Sequence, residues 1–275
     1  MNAVDYRGQT TLITGASSGL GEEFARRLAA RGSGLVLVAR REDRLRKLAE
    51  ELSASHGIEV AVVPMDLGAD RVGEVLAEEL ARRGITVTSV INNAGFGTFG
   101  PLHLEDPVQL RQELAVNIGA VVDISRAFIG PLRTHGKGVL VNVASMGAYQ
   151  PVPHMAVYGA TKAFVLSFTE ALWYESRGTG LRVLALSPGA TTTEFFDVIG
   201  TREVNGGTRF QTCEEVVRTT LRTLDRKNPG PSVISGALNR MMAVGGRLLS
   251  RRQLVKSVGR LMPAPDGEGT KAPAA

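Results

Sequence analysis

Short runs of Val, Leu and Ile, almost unbroken by polar residues, recur along this chain and alternate with amphipathic stretches. That rhythm limits the folds open to it. Thr10–Thr14, Leu35–Ala39, Val60–Val63, Val87–Ile91, Val139–Val143, Leu181–Leu186 and Ser232–Ser235 read as strands. Helices are predicted between them over Leu20–Arg31, Glu42–Ser55, Val72–Arg82, Gln109–Ile129 and His154–Ser176. A strand that is apolar on both faces has to be covered on both faces. Strand-helix alternation meets that demand with a parallel sheet, right-handed crossovers and helices on either side. The expected class is therefore α/β.

No Pro- or Ser-rich linker divides residues 1–235, which are expected to form one domain. With 43% hydrophobic and 21% charged residues, the composition is that of an ordinary globular protein. Residues 236–262 differ. Arg240, Arg247, Arg251, Arg252, Lys256 and Arg260 lie there with no acidic residue, and Leu238, Met241, Met242, Leu248, Leu249, Leu254, Val255, Val258 and Leu261 recur at helical spacing. This reads as an amphipathic basic helical extension, broken in two by Gly245-Gly246. It is expected to pack on the body or on a partner subunit, with an anionic membrane surface as the disfavoured alternative. Residues 263–275, rich in Pro, Gly and Ala, are expected to be a disordered tail.

The net charge of +5 does not imply nucleic acid binding, since no recognition module or aromatic interleaving accompanies it. The single cysteine, Cys213, excludes an internal disulfide. His56, His103, His135 and His154 stand far apart without cysteine partners, so no metal site is expected. The first residues lack an apolar leader and no apolar run approaches a bilayer-spanning length. A cytoplasmic protein is expected.

Two local patterns carry chemistry. Tyr158 and Lys162 stand four residues apart on a predicted helix and share a face. A cation beside a phenol favours the phenolate, and a phenol so tuned can exchange a proton with a reacting oxygen. By itself such a spacing is common on surface helices. Gly15-Ala16-Ser17-Ser18-Gly19-Leu20-Gly21 lies between the first strand and the first helix. Glycines there allow close backbone approach to a pyrophosphate, and the helix N-terminus presents free N–H groups. At the end of the second strand come Arg40 and Arg41, with no acid until Glu42. A carboxylate there would accept from a ribose 2′-hydroxyl, whereas guanidinium forks suit a 2′-phosphate. NADP(H) is expected over NAD(H), unless the arginines only face water. Asp66-Leu67 follows the third strand and either caps a turn or meets an adenine. Asn92-Asn93-Ala94-Gly95 follows the fourth, where two amides can bridge neighbouring strands.

Thr14-Gly15-x-x-x-Gly19-x-Gly21, Asp66, Asn92-Asn93-Ala94-Gly95, Ser145 and Tyr158-x-x-x-Lys162 stand in this order, with Pro188-Gly189 after the next strand. In this the chain resembles the short-chain dehydrogenase/reductase family over about residues 8–235, and within it the NADP-preferring reductases. The resemblance implies a Rossmann-like three-layer α/β/α sandwich with a seven-stranded parallel sheet. It implies a catalytic tetrad: Asn117 holding a water in a proton relay, Ser145 bonded to the substrate oxygen, Tyr158 as acid/base, and Lys162 binding the nicotinamide ribose and lowering the tyrosine pKa. Implied coenzyme contacts are Gly15, Ser17, Ser18, Gly19, Leu20, Gly21, Arg40, Arg41, Asp66, Leu67, Asn93, Ala94, Gly95, Tyr158, Lys162, Pro188, Gly189, Thr191 and Thr193. Thr191 replaces a more usual aliphatic residue, which weakens its own carry-over.

Phe96, Phe99, Met146, Tyr149, Val152 and Met155 surround the tetrad in sequence, and Glu194–Ile199 reads as a flap over it. An apolar lining favours a small hydrophobic ketone or aldehyde, interconverted with its alcohol. A homodimer or homotetramer is expected. The alternative is a coenzyme-binding regulatory or membrane-associated module of the same fold without turnover, and the intact tetrad speaks against it.

Overall fold

The computed structural model describes residues 3–200 and 207–262; the expected tail at 263–275 lies outside the described residues. Seven strands form one parallel sheet in the order β3-β2-β1-β4-β5-β6-β7. They are β1 (Thr10–Thr14), β2 (Gly34–Ala39), β3 (Val60–Pro64), β4 (Ser89–Asn92), β5 (Val139–Val143), β6 (Arg182–Ser187) and β7 (Ser232–Ile234). The helices are α1 (Gly19–Ala29), α2 (Glu42–His56), α3 (Val72–Arg82), α4 (Pro107–Leu114), α5 (Ala120–His135), α6 (Ala156–Glu175), α7 (Phe195–Ile199), α8 (Cys213–Leu224), α9 (Ala237–Gly246) and α10 (Arg251–Leu261).

Strand side chains alternate between two apolar cores, which is why the strands read as continuous apolar runs. Ile13, Leu35, Leu37 and Ile91 join Phe24 and Leu28 of α1, Leu45 and Leu52 of α2, and Val217 and Leu221 of α8. Leu12, Val36, Val38 and Val90 point the other way, to Leu76 and Leu80 of α3 and Ile124, Phe128 and Leu132 of α5. The strand order reverses between β1 and β4. Ligands of open parallel sheets bind outside the carboxyl ends of the strands at such a switch. Thr14, Asn92 and Asn93 all stand there.

The predicted helix over Gln109–Ile129 is two helices. Asp106 accepts from the Val108 N–H at 2.8 Å and Pro107 opens α4, which passes through a π turn at Ala115–Gly119 into α5. Among the described residues, Pro107–His135 is also a stretch long and apolar enough to cross a membrane, with mean hydropathy 1.3, against the expectation that no run is. In the fold its apolar residues Val121, Ile124, Phe128 and Leu132 are buried, and α5 packs on α3, β4 and β5. The basic extension does break in two. The Ser250 side chain caps α10 in reciprocal bonds with Gln253, so the break falls just past the paired glycines.

Candidate active site

The carboxyl ends of β1, β2, β4, β5 and β6 open into one cavity of about 470 Å³. Its floor at one end is the turn after β1. Gly15 has φ +66°, and a Cβ there would lie 2.9 Å from both Ala94 Cα and Asn93 Nδ2. Ser18 stands at the α1 N-cap without capping it, so the first-turn N–H groups are left to a ligand. The glycine turn, the uncapped helix start and the flanking arginines fit the pyrophosphate and adenosine parts of a dinucleotide.

The amides at the end of β4 tie three strands together. Asn92 Nδ2 donates to Asn142 Oδ1 at 2.9 Å and to Ser125 Oγ at 3.2 Å. Asn93 Nδ2 donates to the Thr14 carbonyl at 2.9 Å, and Thr14 Oγ1 accepts from the N–H groups of Asn93 and Ala94 at 2.9 and 3.0 Å. With the strand ends pinned, Gly15 and Ala94 approach as closely as their backbones allow.

Arg40 and Arg41 both border the cavity, Arg40 exposed and Arg41 half-buried. Arg41 crosses the glycine turn, its Nε and Nη2 donating to Ser17 Oγ at 3.1 and 3.0 Å and its Nη2 to Ser18 Oγ at 2.8 Å. Its Nη1 meets Glu194 Oε2 at 2.7 Å, and Arg44 Nη1 meets Glu194 Oε1 at 2.6 Å. These guanidiniums hold the Glu194 carboxyl down at about pKa 2.

At the other end stand Ser145, Tyr158 and Lys162. Ser145 follows β5 and accepts from the Gly147 N–H at 3.1 Å. Tyr158 and Lys162 come from α6. Lys162 is 5% exposed, and its Nζ donates to the Val143 carbonyl at 3.0 Å and lies 5.7 Å from the Tyr158 ring centroid. Here the sequence expectation of an acidified phenol is reversed. Burial pushes Tyr158 up to about 12, while its bond with Ser145 pulls in the lowering direction. Burial also pulls Lys162 down to about 8, against the nearby Glu113 carboxylate. Dehydration disfavours both charged forms, and the ammonium reaches a backbone carbonyl rather than the phenol oxygen.

Asn117 does not line the cavity. It is buried in the π turn, accepting from the Phe96 N–H at 3.1 Å and donating to the Phe96 carbonyl at 2.8 Å and to Thr161 Oγ1 at 3.1 Å. It braces the Gly95-Phe96 wall, where a Cβ on Gly95 would lie 2.9 Å from Asn117 Oδ1 and 3.1 Å from Lys162 Nζ. Asp66 also stays off the lining and accepts from the Gly68 N–H at 3.0 Å, which is the turn-capping option. Gly21 packs beneath the turn on the Gly15 carbonyl. Gly19, Leu20, Leu67, Pro188, Gly189, Thr191 and Thr193 all border the cavity.

Of the expected apolar lining, Phe96, Met146, Val152 and Met155 face the cavity. Tyr149 packs instead beside Val165, Leu166 and Phe168, and Phe99 joins the cluster behind Met155. Within the Glu194–Ile199 stretch, Phe195–Ile199 form α7 with Glu194 at its N-cap, and Phe195 lies 5.2 Å from the Tyr158 ring.

Sequence reasoning missed Glu113 and did not place the far wall. Glu113 is fully buried, accepts from Thr98 N–H and Oγ1 at 3.1 Å each through Oε2, and leaves Oε1 unpaired among the described residues. Burial pushes it up to about 7. The signal was an acid one turn before Asn117 on the same helix line. Val258, Leu261 and Met262 close the cavity from the basic extension; Val258 and Leu261 were visible beforehand only as part of an apolar stripe, and Met262 was not singled out.

A parallel sheet with this switch point, a glycine turn feeding a helix, and a Ser-Tyr-Lys set at the other end define a dinucleotide-dependent oxidoreductase site. The family model for short chain dehydrogenase matches residues 9–203, and the chain belongs to that family. Sulfoacetaldehyde reductase 2 of Chromohalobacter salexigens is 38% identical over 186 residues, covering 67% of this chain and 73% of that protein. The 7β-hydroxysteroid dehydrogenase of Clostridium sardiniense is 26% identical over 261 residues, covering 95% of this chain and 98% of that protein. A short-chain dehydrogenase from Sphingobium yanoikuyae, solved in complex with NADPH, matches with a TM-score of 0.77 at 32% identity, over 94% of this chain and 99% of that one.

Proposed function

We propose that this chain is an NADP(H)-dependent reductase that interconverts a hydrophobic ketone or aldehyde and its alcohol. One observation carries the reading: a single cavity joins a guanidinium-edged glycine turn to a Ser145, Tyr158 and Lys162 group under an apolar roof. Gly15, Ser17, Gly19, Leu20, Asn93, Ala94, Pro188, Gly189 and Thr193 would hold the coenzyme, with Arg40 and Arg41 toward its 2′-phosphate. The coenzyme, when bound, supplies the hydride chemistry.

The chain's own residues do the rest. Ser145 donates a hydrogen bond to the carbonyl oxygen and stabilises charge as it develops there. Tyr158, a neutral donor at neutral pH in this setting, gives its proton to the same oxygen during reduction and takes one back during oxidation. Lys162 holds the nicotinamide ribose, and its charge reaches Tyr158 more strongly once water leaves the cavity. Met146, Val152, Met155, Phe195 and Val258 exclude water and favour apolar substrates.

A panel of carbonyl compounds assayed with NADPH and with NADH, followed by nicotinamide absorbance, tests this. Turnover of apolar carbonyls with NADPH is expected. Reduction confined to charged, strongly polar carbonyls, or driven better by NADH, would overturn the substrate class or the coenzyme assignment respectively. Leu102, Leu104, Val108 and Leu114 are exposed before and along α4, as is Phe164 on α6. They support a homodimer or homotetramer, which light scattering of the purified protein checks.

A further inference from the structure

We propose that Glu194 is a built-in competitor for the 2′-phosphate subsite, a specificity-determining residue that the coenzyme has to displace. The proposal rests on the NADP(H) reading above and extends it to a residue no part of that reading uses. Both Glu194 oxygens are engaged by guanidiniums, Oε2 by Arg41 at 2.7 Å and Oε1 by Arg44 at 2.6 Å. The same Arg41 guanidinium bonds Ser17 and Ser18 in the glycine turn. A carboxylate thus lies where two forked cations converge beside the turn, which is the place a phosphate dianion on the adenosine ribose would take.

The two anions compete for one pair of cations. A dianion with more acceptor oxygens outbids a carboxylate, while a ribose with a bare 2′-hydroxyl leaves Glu194 in place. Next to it Phe195 packs at a tilt against Tyr158 at 5.2 Å, and Phe196 packs edge-on to Phe210 at 4.8 Å, within the cluster that includes Leu254 and Val258.

The contacts are easily exchanged. Arg41, Glu194 and Arg44 side chains are 40%, 43% and 47% exposed, so each pair contributes little and salt weakens it. A competitor has to be weak in this way. A buried pair would shut the subsite.

The experiment measures NADP⁺ and NAD⁺ binding by calorimetry in the wild-type protein and in Glu194→Gln. Glutamine keeps the size and loses the charge. Expected is about three- to tenfold tighter NADP⁺ binding by the variant, the gain shrinking as salt rises, with NAD⁺ within about twofold of wild type. Adenosine 2′,5′-bisphosphate should repeat the gain and 5′-AMP should not, which isolates the phosphate end from the nicotinamide. NADP⁺ binding that is unchanged or weaker in the variant overturns the proposal. So does equal tightening toward both coenzymes, which would be a general charge effect. A wild-type protein that prefers NAD⁺, with Arg41→Ala leaving NADP⁺ affinity unaltered, overturns the NADP(H) reading and the proposal together. A wild-type preference for NADP⁺ without any gain in the variant overturns the proposal alone.

Discussion

At the glycine-turn end of the cavity Arg41, Arg44 and Glu194 pair half in water, whereas at the far end Lys162 and Glu113 are buried and bonded to other partners, the Val143 carbonyl and Thr98. The groups are alike, cations and carboxylates, but only the exposed ones are paired. The outcome is opposite. Among the exposed groups, pairing wins, and Glu194 is held ionised, its pKa down at about 2. Among the buried groups, dehydration wins. Lys162 is pulled down to about 8, Glu113 pushed up to about 7 and Tyr158 up to about 12. An end of the first kind is suited to picking an anion out of solution and letting it go. An end of the second kind brings Glu113 and Lys162 toward neutral pH and keeps Tyr158 a protonated donor there.

The contrast breaks most visibly at Tyr158. Tyr158→Phe removes the donor and keeps the ring that Phe195 packs on, so turnover should fall about 10²–10⁴-fold while coenzyme affinity stays within about twofold. Steady-state kinetics alongside calorimetry read both; turnover that survives removes Tyr158 from the role of acid.

Glu113 tests the buried end through stability. Its folded pKa is raised above its unfolded value, so its contribution is fully present below about pH 4.5 and is lost as pH rises through about 7. Glu113→Gln carries no such slope. Relative to the variant, the wild-type protein should lose up to about 3 kcal/mol between pH 5 and 8, from about 1.4 kcal/mol per pKa unit. Urea unfolding of both proteins across that range decides, and a constant difference at all pH values would show that Glu113 is not dehydrated.

Leu254 bears on the roof that keeps this end dry. It is buried with Met155, Phe196 and Val258. Leu254→Ala should lower stability by about 2 kcal/mol. The urea midpoint and slope report it, and an unchanged midpoint would mean that α10 does not close the cavity.

The smallest effect is expected in water. Arg41→Ala should weaken NADP(H) binding by about 1 kcal/mol, roughly fivefold, and less at high salt. A salt-independent loss would mean that the loaded subsite is buried, and the contrast between the two ends would narrow.

Legibility followed periodicity. β1 and β5 begin and end where their apolar runs do. The fourth strand begins two residues later than its run, although the Thr88 N–H already bonds the Thr10 carbonyl. The site residues that lie at strand ends or just inside helices, among them Gly15, Asn93, Ser145, Tyr158 and Lys162, were readable from position. Asp66 and Asn117 were readable as residues but not as contacts. Tyr149 and Val152 show the limit: three residues apart and both apolar by sequence, they face different clusters. Glu113 escaped because an acid on a helix ordinarily faces water.

By itself the sequence determined the layered architecture and the strand ends at which the cavity opens. Those follow from which segments are apolar on both faces and where glycines interrupt them, and both are local facts. Tertiary structure alone decided the charge states and the walls. Whether Lys162 acidifies its neighbour, whether Glu194 meets Arg41 across the gap between β2 and α7, and whether Met262 closes over Met155 depend on distances between distant segments. They depend equally on how much water those segments leave between them, and neither quantity is written in any stretch of chain shorter than the fold.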